Sequence, residues 1–167
     1  MGLELTRQDM ELMQKELDHR RLELRPKLIQ AVKEARAFGD LSENFEYKAA
    51  KGEKNRNDSR IRYLERTLAS AVVIEDTSGE DTVGLYDTVT IYLEEEDSEE
   101  VWQVVTAMRQ DVLHGRVSKE SPVGRALLGA RVGDRLWVQV NDGYGYHMVV
   151  RAMEKGTDDG SAPLNAY

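Results

Sequence analysis

The chain has 167 residues, 40% hydrophobic and 32% charged, a size that suits one large domain or two small ones and excludes collagen-like and low-complexity chains. Cys is absent, which excludes disulfides and Cys-based zinc sites. No apolar run approaches the roughly 20 residues needed to span a bilayer. The start, MGLELTRQDMELMQ, carries charge where a signal peptide has its apolar core, so a cytoplasmic location with no membrane partner is the default expectation.

The net charge of −8 is unevenly spread: residues 1–73 balance at +2 and residues 74–167 at −10. Such asymmetry predicts two units with different partners. The overall acidity argues against sequence-independent binding to duplex DNA, where phosphate neutralisation supplies the affinity.

The first half reads as helical throughout. Thr6-Arg7-Gln8-Asp9 is a helix-capping signal, and Asp9 also complements the helix dipole. Met10, Met13, Leu17, Leu24, Leu28, Ala31 and Ala35 then recur at coiled-coil spacing. Pro26 lies inside this seam and should kink the helix rather than end it, because the seam continues beyond it. Gly39 is a good stop. A second seam follows: Tyr47, Ala50, Lys54, Asn57, Ile61, Leu64, Leu68 and Ala71. Its polar middle, Lys54 and Asn57, falls opposite the gap at Arg20-Arg21 if the two helices fold back about Gly39. Gly52 costs the second helix about 1 kcal/mol. The expected product is an antiparallel αα-hairpin roughly 45 Å long at about 1.5 Å per residue. Its tip would lie far from its base, as in a probe or a scaffold.

The second half switches to period 2. Val89, Ile91 and Leu93 alternate with polar or aromatic residues, an acidic turn covers Glu94–Glu100, and Val101–Val105 returns. A strand is also expected around Val72-Val73-Ile74, ahead of a linker at about 74–84. Ser121-Pro122 opens a short helix through Leu128, with proline at a permitted first-turn position. Leu136–Val140 and Tyr146–Val150 flank Asn141-Asp142-Gly143, a strong hairpin signal. The expected fold class is therefore α+β: a coiled-coil hairpin over 1–74, a small antiparallel sheet with one helix over 75–153, and a disordered tail over 154–167 containing GTDDGSAP.

Conventional catalytic groupings are missing. His19, His114 and His147 are far apart and read as surface or strand residues, and Ser121 has no nearby base and reads as a helix cap. The informative segment is Gly39-Asp40-Leu41-Ser42-Glu43-Asn44-Phe45-Glu46-Tyr47, which puts two carboxylates three residues apart at the predicted tip. Two readings stay open. Asp40 and Glu43 could form a capping box for the second helix. Alternatively, they could add hard oxygen ligands to a Mg²⁺ held mainly by a partner, since two carboxylates alone make a poor site. Lys48, Lys51, Lys54, Arg56 and Arg60 follow, either as a solvated face or as phosphate contacts.

GDLSENFEYKAAK between two long seams, followed by RIRYLERTL, resembles the Gre transcript cleavage factors. Further on, Ser121-Pro122-Val123-Gly124-Arg125-Ala126-Leu127-Leu128-Gly129 and Gly133-Asp134 resemble the family's C-terminal signature, so the likeness spans roughly 3–153. The low isoelectric point leans toward the GreA branch rather than GreB. The resemblance implies an N-terminal coiled coil, an FKBP-like C-terminal domain, and a monomer that is not itself an enzyme. It implies a factor that binds bacterial RNA polymerase, inserts its coiled coil into the secondary channel and activates the polymerase's own nuclease on backtracked RNA. Asp40 and Glu43 match the acidic pair that helps hold a Mg²⁺ shared with the polymerase; the free protein would bind none. Lys51, with Lys48 beside it, matches the basic position that faces the RNA 3′ end, and Ser121 and Pro122 match a loop implicated in docking. Phe45 stands where the family commonly has a small residue. The alternatives are a channel-binding inhibitor of the same architecture and, from another class, a prolyl isomerase. The latter would use Tyr86, Tyr92, Trp102, Trp137, Tyr144 and Tyr146 to line a pocket.

Overall fold

The computed structural model describes residues 2–39 and 44–166. By their contacts these form two units: Met1–Leu3 with Met10–Ala71, and Glu4–Asp9 with Val72–Tyr167.

The first unit is helical. Helix α1 (Arg7–His19), whose first residues through Asp9 belong to the second unit, leads through one wide turn, Arg20–Leu24, into α2 (Arg25–Arg36), and α3 (Phe45–Ser70) returns against α2. The expected cap of α1 is present in full: the Thr6 hydroxyl accepts from the Asp9 amide at 3.2 Å, and Asp9 Oδ2 accepts from the Thr6 amide at 2.9 Å. Pro26 explains the wide turn. It has no N–H for the Leu22 carbonyl, and its ring would clash there, so the helix loosens by one residue just before it. The Arg25 amide consequently donates to the Arg20 carbonyl, five residues back. The helix thus passes the proline, as the continuing seam predicts.

Among the described residues, Met13, Leu17, Ala35, Ile61 and Leu64 are the buried apolar residues of the hairpin. The α3 face is shifted from the simple seam. Asn57, Arg60, Ile61, Leu64 and Thr67 are its buried residues, while Leu68 is only half-buried.

The second unit is a five-stranded sheet in the order β5-β4-β3-β7-β6. Its strands are β3 (Thr88–Leu93), β4 (Ser98–Val105), β5 (Arg116–Ser118), β6 (Arg135–Asn141) and β7 (Tyr144–Glu154), and α4 (Pro122–Leu127) packs on it. The expected all-antiparallel sheet needs one correction: β5 runs parallel to β4. Residues 106–115 make a crossover through two short turns, Ala107–Arg109 and Val112–His114, which bring the chain back in its original direction. The Asp142-Gly143 hairpin forms as expected between β6 and β7. The acidic turn is shorter than predicted, since Ser98, Glu99 and Glu100 already pair in β4.

Val89, Ile91, Val104, Val105, Val117, Leu127, Val138, Met148 and Val150 form the core. A Cβ on Gly124 would lie 1.9 Å from the Ser118 carbonyl oxygen, so glycine is what allows α4 to sit this close to β5. Two short strands, β1 (Glu4–Leu5) and β2 (Val72–Val73), pair in parallel beside this sheet and bury Leu5.

The tail, expected to be disordered, is instead bonded to the second unit. Arg109 is fully buried; it makes a two-pronged pair with Asp158 at 2.7 and 2.8 Å, reaches Asp9 at 3.1 Å and donates to the Ala162 carbonyl at 2.7 Å. Burial, the largest influence, works against its charge, but the hydrogen bonds to Asp158 and Asp9 and the nearby charges of Asp158 and Tyr86 together hold its pKa above the ordinary value. Asn165 continues the attachment, donating from its amide to the Met108 carbonyl at 2.8 Å and from Nδ2 to the Ala107 carbonyl at 2.7 Å. A polar composition predicts disorder only when no buried charge needs the tail's groups.

Candidate functional site at the hairpin tip

Helix α2 ends at Arg36, Gly39 follows with φ +129°, and α3 starts at Phe45. One side chain ties the two ends together. Asn44 Oδ1 accepts from the Tyr47 amide at 3.0 Å, and its Nδ2 donates to the Ala35 carbonyl at 2.6 Å. Asn44 is thus both the N-cap of α3 and a clasp onto the last turn of α2.

The predicted acidic pair, Asp40 and Glu43, lies outside the described residues. The helix they were expected to cap is described, however, and its cap is Asn44. The capping reading of Asp40 with Glu43 is therefore corrected for α3. Asn is as good a cap as Asp, so the residue type at position 44 is itself a capping signal.

Lys48 and Lys51 are exposed on the first two turns of α3. Lys48 Nζ lies 5.8 Å from the Phe45 ring centroid, and Lys51 Nζ lies 5.9 Å from that of Tyr47. Arg36 approaches the same Tyr47 ring at 5.3 Å and donates to its hydroxyl at 3.2 Å. That hydrogen bond, followed by the nearby Lys51 charge, holds the Tyr47 hydroxyl below its usual pKa. The end of the hairpin therefore presents Arg36, Lys48 and Lys51 around two aromatic rings. Arg36 and Tyr47 were not recognised as site residues, because Tyr47 also fits the apolar seam.

The basic stretch does not continue as one face. Lys54 pairs with Asp58 at 2.8 Å. Arg60, expected among the solvated or phosphate-facing residues, is only 3% exposed. It grips both oxygens of Glu16, at 2.7 and 3.2 Å, while Arg20 Nε donates to Glu16 Oε2 at 2.8 Å. Burial pushes the Glu16 carboxyl up, but the two arginines together bring it below the ordinary carboxylate range. Among the described residues, no cluster of three or more His, Asp or Glu side chains is arranged to hold a metal ion.

Ser121 caps α4, accepting from the Gly124 amide at 3.0 Å and donating to the Ser118 carbonyl at 2.7 Å. Its hydroxyl is thus occupied by the fold, while Pro122 beside it is exposed. The histidines are dispersed: His19 meets Glu23, His114 meets Asp111, and His147 lies edge-on to Trp137. The aromatics proposed for an isomerase pocket are dispersed too. Tyr86 lies beneath Arg109, Tyr92 beneath Arg151, and Tyr144 beside Tyr146. Tyr144 and Tyr146 share one face of β7, but Tyr86 comes from the turn before β3, and Tyr92, Trp102 and Trp137 come from β3, β4 and β6.

Comparison with known proteins gives a consistent outcome across most of the chain. Residues 3–73 match the family model described as transcription elongation factor, N-terminal, and residues 76–155 match transcription elongation factor, GreA/GreB, C-term. Transcription elongation factor GreA of Thermotoga maritima is 38% identical over 151 residues, covering 90% of this chain and 97% of the relative. The GreA of a Chelativorans species is 44% identical over 143 residues, covering 84% and 90%. Among solved structures, the GreA factor homolog 1 of Thermus thermophilus is 30% identical and covers 93% of this chain and 100% of its own, with a TM-score of 0.43. The tail beyond residue 155 extends past the family match.

Proposed function

Because the chain belongs to the GreA/GreB family of transcription elongation factors, we propose that it binds bacterial RNA polymerase, enters the secondary channel with its helical hairpin, and stimulates cleavage of backtracked RNA. The nuclease is the polymerase's own, and this chain supplies two carboxylates, Asp40 and Glu43, at the tip.

The observation that carries the reading is the cap of α3. With Asn44 closing the helix, the fold of α3 does not call on Asp40 or Glu43 for its N-cap. That leaves the two carboxylates, three positions apart in the sequence between α2 and α3, for the metal-binding role proposed here. The length suits that role: α3 has 26 residues, about 39 Å at 1.5 Å per residue.

The donor set fits Mg²⁺, a hard cation that takes oxygen ligands and is commonly held by one or two carboxylates plus water and phosphate. When bound, such an ion supplies Lewis-acid polarisation and a nucleophilic water. Asp40 and Glu43 contribute negative oxygens that attract the ion and orient a water toward the scissile phosphate. Lys48 and Lys51 lend positive charge just behind them for the phosphates of the extruded RNA 3′ end. In the second unit, exposed Pro122 beside the Ser121 cap is a fixed point suited to docking on the polymerase.

The test is to add the full chain to a stalled, backtracked elongation complex with Mg²⁺ and to size the released RNA. Short 3′ fragments appearing faster than without the factor support the reading. Binding with unchanged or reduced cleavage would instead identify an inhibitor of the same architecture.

A further inference from the structure

The chain contains only 2 Phe, and neither is in a core. Phe38, 76% exposed, follows α2, and Phe45, 80% exposed, opens α3. Both large apolar side chains are therefore displayed at the same end of the hairpin, where each forgoes the gain of burial. Phe45 sits at the first position of α3, with Lys48 one turn on and its ammonium near the ring. Exposed Lys51 follows on the next turn, and Glu46 is the one acidic residue in the first turn of α3.

The surroundings decide what such a ring faces. An apolar protein surface pressed onto Phe45 would have to strip water from Lys48 without replacing it. A single-stranded nucleic acid satisfies both groups at once, because a base stacks on the ring while the adjoining phosphate meets the ammonium. Resting on the function proposed above, we propose that Phe45 is a stacking platform for the unpaired base at the extruded RNA 3′ end, with Lys48 on its phosphate. Recognition by Phe45 is independent of RNA sequence, since every base has a stacking face.

The test uses the full chain at subsaturating concentration with two backtracked complexes, one ending in a natural 3′ nucleotide and the other in an abasic one. Phe45→Leu keeps an apolar side chain at an exposed position but removes the ring. It is expected to lose about five-fold or more of the stimulated cleavage rate on the natural RNA, and Phe45→Trp to retain it. On the abasic RNA, the wild type and Phe45→Leu are expected to cleave alike. An unchanged Phe45→Leu rate on natural RNA overturns the proposal, as does an equal deficit on the abasic RNA. Either result leaves the cleavage function standing. A wild type that stimulates neither complex overturns that function and the stacking role with it.

Discussion

Asn57 bonds Arg20 twice: Arg20 Nη1 donates to Asn57 Oδ1 at 2.9 Å, and Asn57 Nδ2 donates to the Arg20 carbonyl at 3.3 Å. That carbonyl is the one accepting the five-residue bond of the wide turn before Pro26. A buried asparagine on α3 therefore braces the point where the opposite helix is loosened. Asn57→Ala gains some helix propensity but leaves the carbonyl and the guanidinium with fewer partners. A net loss of about 1 kcal/mol is expected in denaturant unfolding, with little effect on the second unit.

The Glu16 cluster next to it sets a pH dependence. The folded pKa of Glu16 is depressed below its unfolded value. Its stabilisation is therefore fully present above the unfolded pKa, near 4.3, and is lost as pH falls through the folded one. Glu16→Gln should remove about 2 kcal/mol at neutral pH, because it leaves Arg60 buried with a weaker partner. It should also flatten the loss of hairpin stability below about pH 4. Helical circular dichroism against pH, for both proteins, checks the sign.

Two glycines should respond in opposite ways. Gly52 lies within α3, and a Cβ there would meet only the Arg56 Nη1 end, at 3.4 Å. Gly52→Ala should stabilise by about 1 kcal/mol. Gly124 faces the Ser118 carbonyl, and Gly124→Ala should destabilise by about 1–3 kcal/mol through forced displacement of α4. Thermal unfolding of the two variants, side by side, tests both.

The tail is predicted to be part of the second unit's stability. Asp158→Ala removes the two-pronged partner of a fully buried arginine. Breaking one side of a buried pair costs about 3–5 kcal/mol, and Asp9 remains to offset part of it. A fall in unfolding midpoint is expected, and truncation after Lys155 should reproduce it. An unchanged midpoint in both would reduce the tail to a surface appendage.

Those contacts also show where the sequence was readable. The matched polar gap that set the hairpin register is the Asn57–Arg20 contact itself. The Thr6–Asp9 box and the Ser121 cap were legible because each depends on residues three apart. Arg109 was not, because its partners Asp9 and Asp158 lie 100 and 49 positions away and no local pattern marks them. Arg60 was misread for a related reason: a guanidinium on a helix face is solvated or buried according to what the opposite helix offers, and here Glu16 offers a carboxylate. At the tip, the residue types and their spacing were visible, but Asn44 was overlooked as the cap because Asp40 competed for that role.

The acidic pair gives the most direct test. Asp40→Asn and Glu43→Gln change side-chain size little and leave the Asn44 cap untouched, so each hairpin should fold as the wild type does. Each replaces a carboxylate with a neutral amide oxygen, a weaker ligand for Mg²⁺. The measurement is cleavage of a backtracked elongation complex at limiting Mg²⁺, with polymerase binding confirmed for every protein. Both variants are predicted to bind normally, to lose most of the stimulation, and to recover part of it as Mg²⁺ is raised. Wild-type cleavage by both variants at limiting Mg²⁺ would contradict the role assigned to the tip.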